Sequence, residues 1–195
     1  MSSFIGHALA GATIHFSGQR NNGPAARWSL PVLIILAVAP DLDYLPLWLW
    51  GMDCDPRFSH SLACCLLLSV VAWLICKPLY TRGGMRPPGL LAMSLATSSH
   101  LLLDLAVGVH GLPILWPLPL AEISSPLALL PSAGQLRLDN FYLWRNLLIE
   151  TGVLLPISAL CLAWARKVSW QLIARTAAWL APLWGFFVTW SIRIH

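Results

Sequence analysis

The chain has 195 residues, 57% of them hydrophobic and 10% charged, with 12 Lys+Arg against 8 Asp+Glu for a formal net charge of +4, whereas soluble domains carry about 25% charged residues. That balance excludes water as the main solvent. The basic residues are scattered through short loops between apolar runs, a pattern of membrane orientation and not of nucleic-acid binding. The five cysteines are odd in number and form no Cys-x-x-Cys pair, which argues against a zinc-finger or disulfide scaffold.

The first apolar segment, Phe4 to Phe16, is short for a full crossing and reads as a tilted, half-crossing or bundle-packed helix. Four runs approach the roughly 20 residues that a hydrocarbon core demands: Leu30 to Trp50, His60 to Leu79, Gly89 to Val109 and Phe141 to Ala165. A fifth, Gln171 to Ile194, closes the chain. Between Gly111 and Leu138 the prolines Pro113, Pro117, Pro119, Pro126 and Pro131 forbid a single helix, since each interior proline removes a backbone bond and clashes; the stretch reads as an interfacial or re-entrant cap. The expected fold is all-α, a polytopic membrane helix bundle of about five membrane-spanning or half-spanning helices plus a short N-terminal helix. No linker-like stretch divides it, so residues 1–195 read as one domain.

Loop charge gives one consistent orientation. Arg20, Arg27, Lys77, Arg82, Arg86, Arg166, Lys167 and Arg175 fall on one side, while Arg57, Arg137, Arg145 and Arg193 share the other with Asp53, Asp55, Glu122 and Asp139. The positive-inside rule makes the second side external, the periplasm in a bacterium.

Ionisable groups at bilayer depth cost at least about 2.5 kcal/mol each on insertion scales, so each is a functional hypothesis. Asp41 and Asp43 interrupt a span as Pro40-Asp41-Leu42-Asp43, where the proline bends the chain as two carboxylates enter. His60 opens the next span within Arg57-Phe58-Ser59-His60-Ser61, and His100 and Asp104 are four apart, on one helix face. At 1.5 Å per residue, Asp41, His100 and Asp104 lie about 15 to 23 Å along their spans from the inner ends, and His60 enters from the outer end, so all can meet in the outer half of the membrane. His7 joins them if the first segment runs with its N-terminus outward, and Glu150 falls at a similar depth. Imidazole nitrogen and carboxylate oxygen suit zinc, manganese or iron, and a divalent ion would neutralise carboxylates that could otherwise hardly stay ionised there. The competing readings are a polar helix break for Asp41 and Asp43, a surface histidine for His60, a hydrogen-bonded pair or proton relay for His100 and Asp104, a satisfied buried histidine for His7 and a pair with Arg145 or Arg137 for Glu150. His110 stays open as a further participant.

The ordered set Gly6-His7, Pro40-Asp41-Leu42-Asp43, Arg57-Phe58-Ser59-His60-Ser61, Ser99-His100 to Asp104 and Leu115-Trp116-Pro117 resembles the YdjM-type inner-membrane family of metal-dependent hydrolases over roughly the first 120 residues. Here Ser59 stands where that family usually has threonine, and Tyr44 where a histidine is often found. The resemblance implies an inner-membrane hydrolase.

Together these readings predict that His7, Asp43, His60, His100 and Asp104 hold one or two divalent ions, zinc foremost, with Asp41 as bridging ligand or general base. Such an ion acidifies water and polarises an ester or phosphoester oxygen. A site toward the external face suits a membrane lipid or lipid-linked substrate, with Arg57 receiving an anionic head group. The alternative is an ion or proton transporter using the same cluster.

Overall fold

The computed structural model describes residues 3–18, 24–52, 57–83, 87–108, 111–118, 121–125, 129–132 and 139–194. Arg20, Asp53, Asp55, Arg86, His110, Pro119, Pro126 and Arg137, named above, lie outside the described residues. Among the described residues seven α-helices follow one another: α1 (Phe4–Gly18), α2 (Pro24–Val38), α3 (Leu45–Trp50), α4 (Leu62–Arg82), α5 (Leu90–Val107), α6 (Phe141–Ala165) and α7 (Trp170–Arg193). Two 3₁₀ turns interrupt them, Ala39–Tyr44 between α2 and α3 and Phe58–His60 before α4. The fold is all-helical, with five runs long and apolar enough to cross a membrane: Trp28–Leu47, which passes from α2 through the first 3₁₀ turn into α3, and then α4, α5, α6 and α7.

The short first segment, whose status the sequence leaves open, is an inserted helix at the centre. It packs against α2, α5 and α6 and buries Gly6, His7, Gly11 and His15, the last three at intervals of four along one face. Gly11 permits the contact with α2, because a Cβ there would lie 2.6 Å from the Leu33 carbonyl oxygen and 2.9 Å from the Ile34 Cα. A hydrogen bond of 2.9 Å between Ser29 Oγ and His15 Nδ1 fastens the same pair of helices.

Of the spans, α5 is the most enclosed, with 39% of its apolar window buried, and α7 the most lipid-facing, with 6%. The inward face of α5 carries Met93, Ala96, Thr97, His100, Asp104 and Val107, while Leu91, Leu95 and Leu102 point outward. Along α5 the polar pair His100 and Asp104 therefore sits between two apolar clusters. One contains Leu33, Leu36, Ala37, Met93 and Ala96; the other contains Val107, Leu130, Ile149, Val153 and Leu154. Gly108 then ends the helix at φ +66°, a conformation that costs a Cβ-free residue little, and its N–H returns to the Asp104 carbonyl.

The proline-rich stretch forms an irregular cap fastened at several points, with no helix among its described residues. Leu112 and Ile123 exchange backbone hydrogen bonds of 2.9 Å, and Leu62 N–H at the start of α4 donates to Ile114 O at 2.9 Å. The N–H groups of Leu129 and Leu130 both donate to Ala106 O, at 2.8 and 3.0 Å. Ser191 Oγ on α7 donates to Leu129 O at 2.8 Å, and Asn146 Nδ2 on α6 to Ser132 O at 2.7 Å.

Candidate metal centre

Pro40 has no N–H to bond back into α2, and at this point the chain tightens into the 3₁₀ turn Ala39–Tyr44. At about three residues per turn, positions two apart point roughly 120° apart. Asp41 consequently turns inward, 1% exposed, Leu42 faces out at 55%, and Asp43 emerges on a different side, half-buried. The second turn, Phe58–His60, carries His60 just before α4, and Ser61 caps α4 by accepting Cys64 N–H at its Oγ.

Four side chains from three elements, His7, Asp41, His100 and Asp104, are all buried and each presents a ligand atom within 4.8 Å of the others. His7 Nε2 lies 3.7 Å from Asp41 Oδ2 and 3.5 Å from Asp104 Oδ1. His100 Nε2 lies 3.5 Å from Asp41 Oδ1 and 3.5 Å from Asp104 Oδ2, and the His7 and His100 rings stack at 3.8 Å. His60 completes the group from its own side, its Nε2 being 3.6 Å from Asp41 Oδ1, 3.4 Å from Asp104 Oδ2 and 3.3 Å from His100 Nε2.

Two outer contacts fix the imidazoles. His100 Nδ1 is 2.8 Å from the Ala37 carbonyl, which can only accept; Nδ1 therefore carries the hydrogen and Nε2 presents its lone pair to the cluster. His60 Nδ1 is 3.2 Å from Asp43 Oδ2, and the same oxygen accepts Ser59 Oγ–H at 2.6 Å. Three carboxylates, Asp41, Asp43 and Asp104, thus surround the His60 ring.

The residues fit a metal. Both Asp41 oxygens and both His7 nitrogens are buried without a hydrogen-bond partner, a costly arrangement unless something else answers them. The donor set of imidazole and carboxylate suits a divalent ion. A buried His/Asp group that can hold a metal ion is thus present where α1, the Ala39–Tyr44 turn and α5 meet.

The placement of the other expected residues differs from residue to residue. The sequence reading set Asp43 among the ligands and gave Asp41 the choice of bridging or acting as base; Asp41 stands inside the four-residue group, and Asp43 touches the far nitrogen of His60. Arg57 lies with its guanidinium 3.8 Å from the centre of the Tyr44 ring, which in turn meets the His60 ring edge-on at 6.0 Å. Glu150, expected to pair with Arg145 or Arg137, accepts Ser3 N–H at 3.0 Å, while Arg145 Nε donates to Asn146 Oδ1. The hydroxyl of Ser59, the carbonyl of Ala37 and the ring of Tyr44 escaped the sequence reading. Only the adjacency of Ser59 to His60, and of Tyr44 to Asp43, carries a signal for two of them.

No curated protein and no solved structure matches the chain. A family profile described as "YdjM inner membrane protein" matches residues 1–192. With five spans and a match over nearly its whole length, the chain is an integral membrane protein that belongs to the YdjM inner membrane protein family.

Proposed function

We propose that the protein is a membrane-embedded metal-dependent hydrolase that cleaves an ester or phosphoester of a lipid or lipid-linked substrate, with zinc as the metal. The observation that carries this reading is the buried group His7, Asp41, His100 and Asp104, whose ligand atoms lie within 4.8 Å of one another, with the His7 nitrogens and Asp41 oxygens lacking a hydrogen-bond partner and His60 alongside. Zinc bound there would supply Lewis acidity, acidifying water and polarising the scissile group. The chain's own residues do the rest. Asp43 and the Ala37 carbonyl hold His60 and His100 in the ligating tautomer, and Arg57, flat on Tyr44 at the edge of the cluster, is placed to receive an anionic head group. The positive-inside pattern puts this edge at the external face.

A transporter would need polar continuity through the membrane. Toward the other end of α5 the site meets the apolar cluster of Leu33, Leu36, Ala37, Met93 and Ala96, which favours catalysis over passage. The test is elemental analysis of detergent-purified protein together with hydrolysis of phospholipid and acyl-ester substrates with and without chelator. Stoichiometric zinc, its loss in His100→Ala with helix content unchanged, and chelator-sensitive product formation are expected; wild-type protein without stoichiometric metal would sink the reading.

A further inference from the structure

The donors divide into two sets, and the division runs through the two carboxylates. Asp41 turns Oδ2 to His7 Nε2, at 3.7 Å, and Oδ1 to His60 and His100 Nε2, at 3.6 and 3.5 Å. Asp104 is split the same way, with Oδ1 3.5 Å from His7 Nε2 and Oδ2 3.4 and 3.5 Å from His60 and His100 Nε2. His60 and His100 Nε2 are themselves 3.3 Å apart.

One quartet, His60 Nε2, His100 Nε2, Asp41 Oδ1 and Asp104 Oδ2, thus has its two imidazole nitrogens 3.3 Å apart and each 3.4 to 3.6 Å from both carboxylate oxygens. A tetrahedral zinc with ligands at about 2.1 Å separates neighbouring donors by about 3.4 Å. The quartet is a closed set of four. An ion there would leave His7 Nε2 and Asp41 Oδ2 unanswered, although both are buried and lack a hydrogen-bond partner. These two atoms, with Asp104 Oδ1, make a second set of three protein donors, the number found in zinc sites that keep a fourth position for water or substrate.

We infer that the protein holds two divalent ions bridged by Asp41 and Asp104, one in the His60/His100 quartet and one in the His7 triad, the second being the position open to substrate. This rests on the reading of the cluster as a metal centre and adds to it the count, the bridging role of both carboxylates and a division of labour between the ions. Paired ions clamp both the attacking and the leaving oxygen of an in-line displacement, which favours a phosphoester over a carboxylic ester as substrate.

The experiment is metal counting on detergent-purified full-length protein, wild type beside His7→Ala, with electron paramagnetic resonance of the Mn(II)-loaded forms. Two ions per chain and an exchange-coupled Mn(II) spectrum in wild type are expected, falling to one ion and an uncoupled spectrum in His7→Ala. A wild type with one ion and uncoupled Mn(II) overturns the paired centre while leaving the single-metal hydrolase standing; a wild type with none removes both. Two ions retained in His7→Ala overturn the assignment of the second position. Should His7→Ala fail to reach the membrane, the wild-type count and spectrum decide alone.

Discussion

Asp41 and Asp43 share a motif and an electrostatic cost, yet one faces the donor cluster and the other stands behind His60. The sequence displays the charges and the proline but not the conformation of the turn, and the roles depend on it: in a 3₁₀ turn the two carboxylates point about 120° apart. His100 and Asp104 were easier to read because a spacing of four on an α-helix determines a common face without further information. Standing behind a ligand has a measurable consequence. Asp43→Asn keeps the shape but weakens the acceptor that orients His60 Nδ1–H, so zinc affinity should fall by about ten- to a hundred-fold, whereas a lost ligand should abolish stoichiometric binding. Competition against a chromogenic chelator separates these outcomes, and a variant Asp43→Asn that binds zinc as tightly as wild type would deny Asp43 the role. Glu150 acts at one further remove. It accepts Ser3 N–H, Ser3 Oγ accepts Gly6 N–H and Ser3 O accepts His7 N–H, so the carboxylate anchors the turn that carries His7. Glu150→Ala should lower zinc content and thermal stability, by about 1 to 3 kcal/mol for the buried donor left unmade. Glu150→Gln, which retains an acceptor, should restore most of both.

At the scale of elements, five spans were legible because a long uninterrupted apolar run has few alternatives to a membrane crossing. The role of α1 was not, since its length fits a half-crossing, a packed segment or a tilted span equally well. What places it inside the bundle is backbone-to-backbone approach at Gly11, a property of two helices that no single stretch of sequence displays. A Cβ at Gly11 would meet the Leu33 carbonyl and the Ile34 Cα, both main-chain atoms that cannot rotate away. Gly11→Ala should therefore force α1 from α2 and destabilise the protein by about 1 to 3 kcal/mol. Because His7 rides on the same helix, the variant should lose zinc along with stability; thermal unfolding in detergent with metal analysis of the folded fraction measures both. Unchanged melting would mean that the α1–α2 contact is looser than the structure describes. The Ser69 and Thr97 hydroxyls, 2.8 Å apart, join α4 to α5 in a different manner, one donating to the other across an otherwise apolar interface.

For the whole molecule, the His/Asp cluster, the His60 turn and the proline-rich cap lie at one end of the bundle, and the Phe58 and Trp116 rings, 5.8 Å apart, join turn to cap. The proposed orientation sets this end outside, and it follows from loop charge alone: Lys77, Arg82, Arg166, Lys167 and Arg175 gather at the opposite end, beyond the apolar cluster around Met93. A substrate drawn from the outer leaflet needs this orientation, whereas a cytoplasmic lipid intermediate would need the reverse. Cysteine accessibility in intact cells distinguishes them. Leu118 in the cap is exposed, and so is Val168 in the turn between α6 and α7, so neither substitution to cysteine disturbs buried packing. A membrane-impermeant maleimide should label Leu118→Cys in whole cells and Val168→Cys only after permeabilisation, each measured in a background with the native cysteines replaced by serine or alanine. The opposite pattern would keep the metal centre but move it to the cytoplasmic leaflet, and with it the pool of lipids from which the substrate is taken.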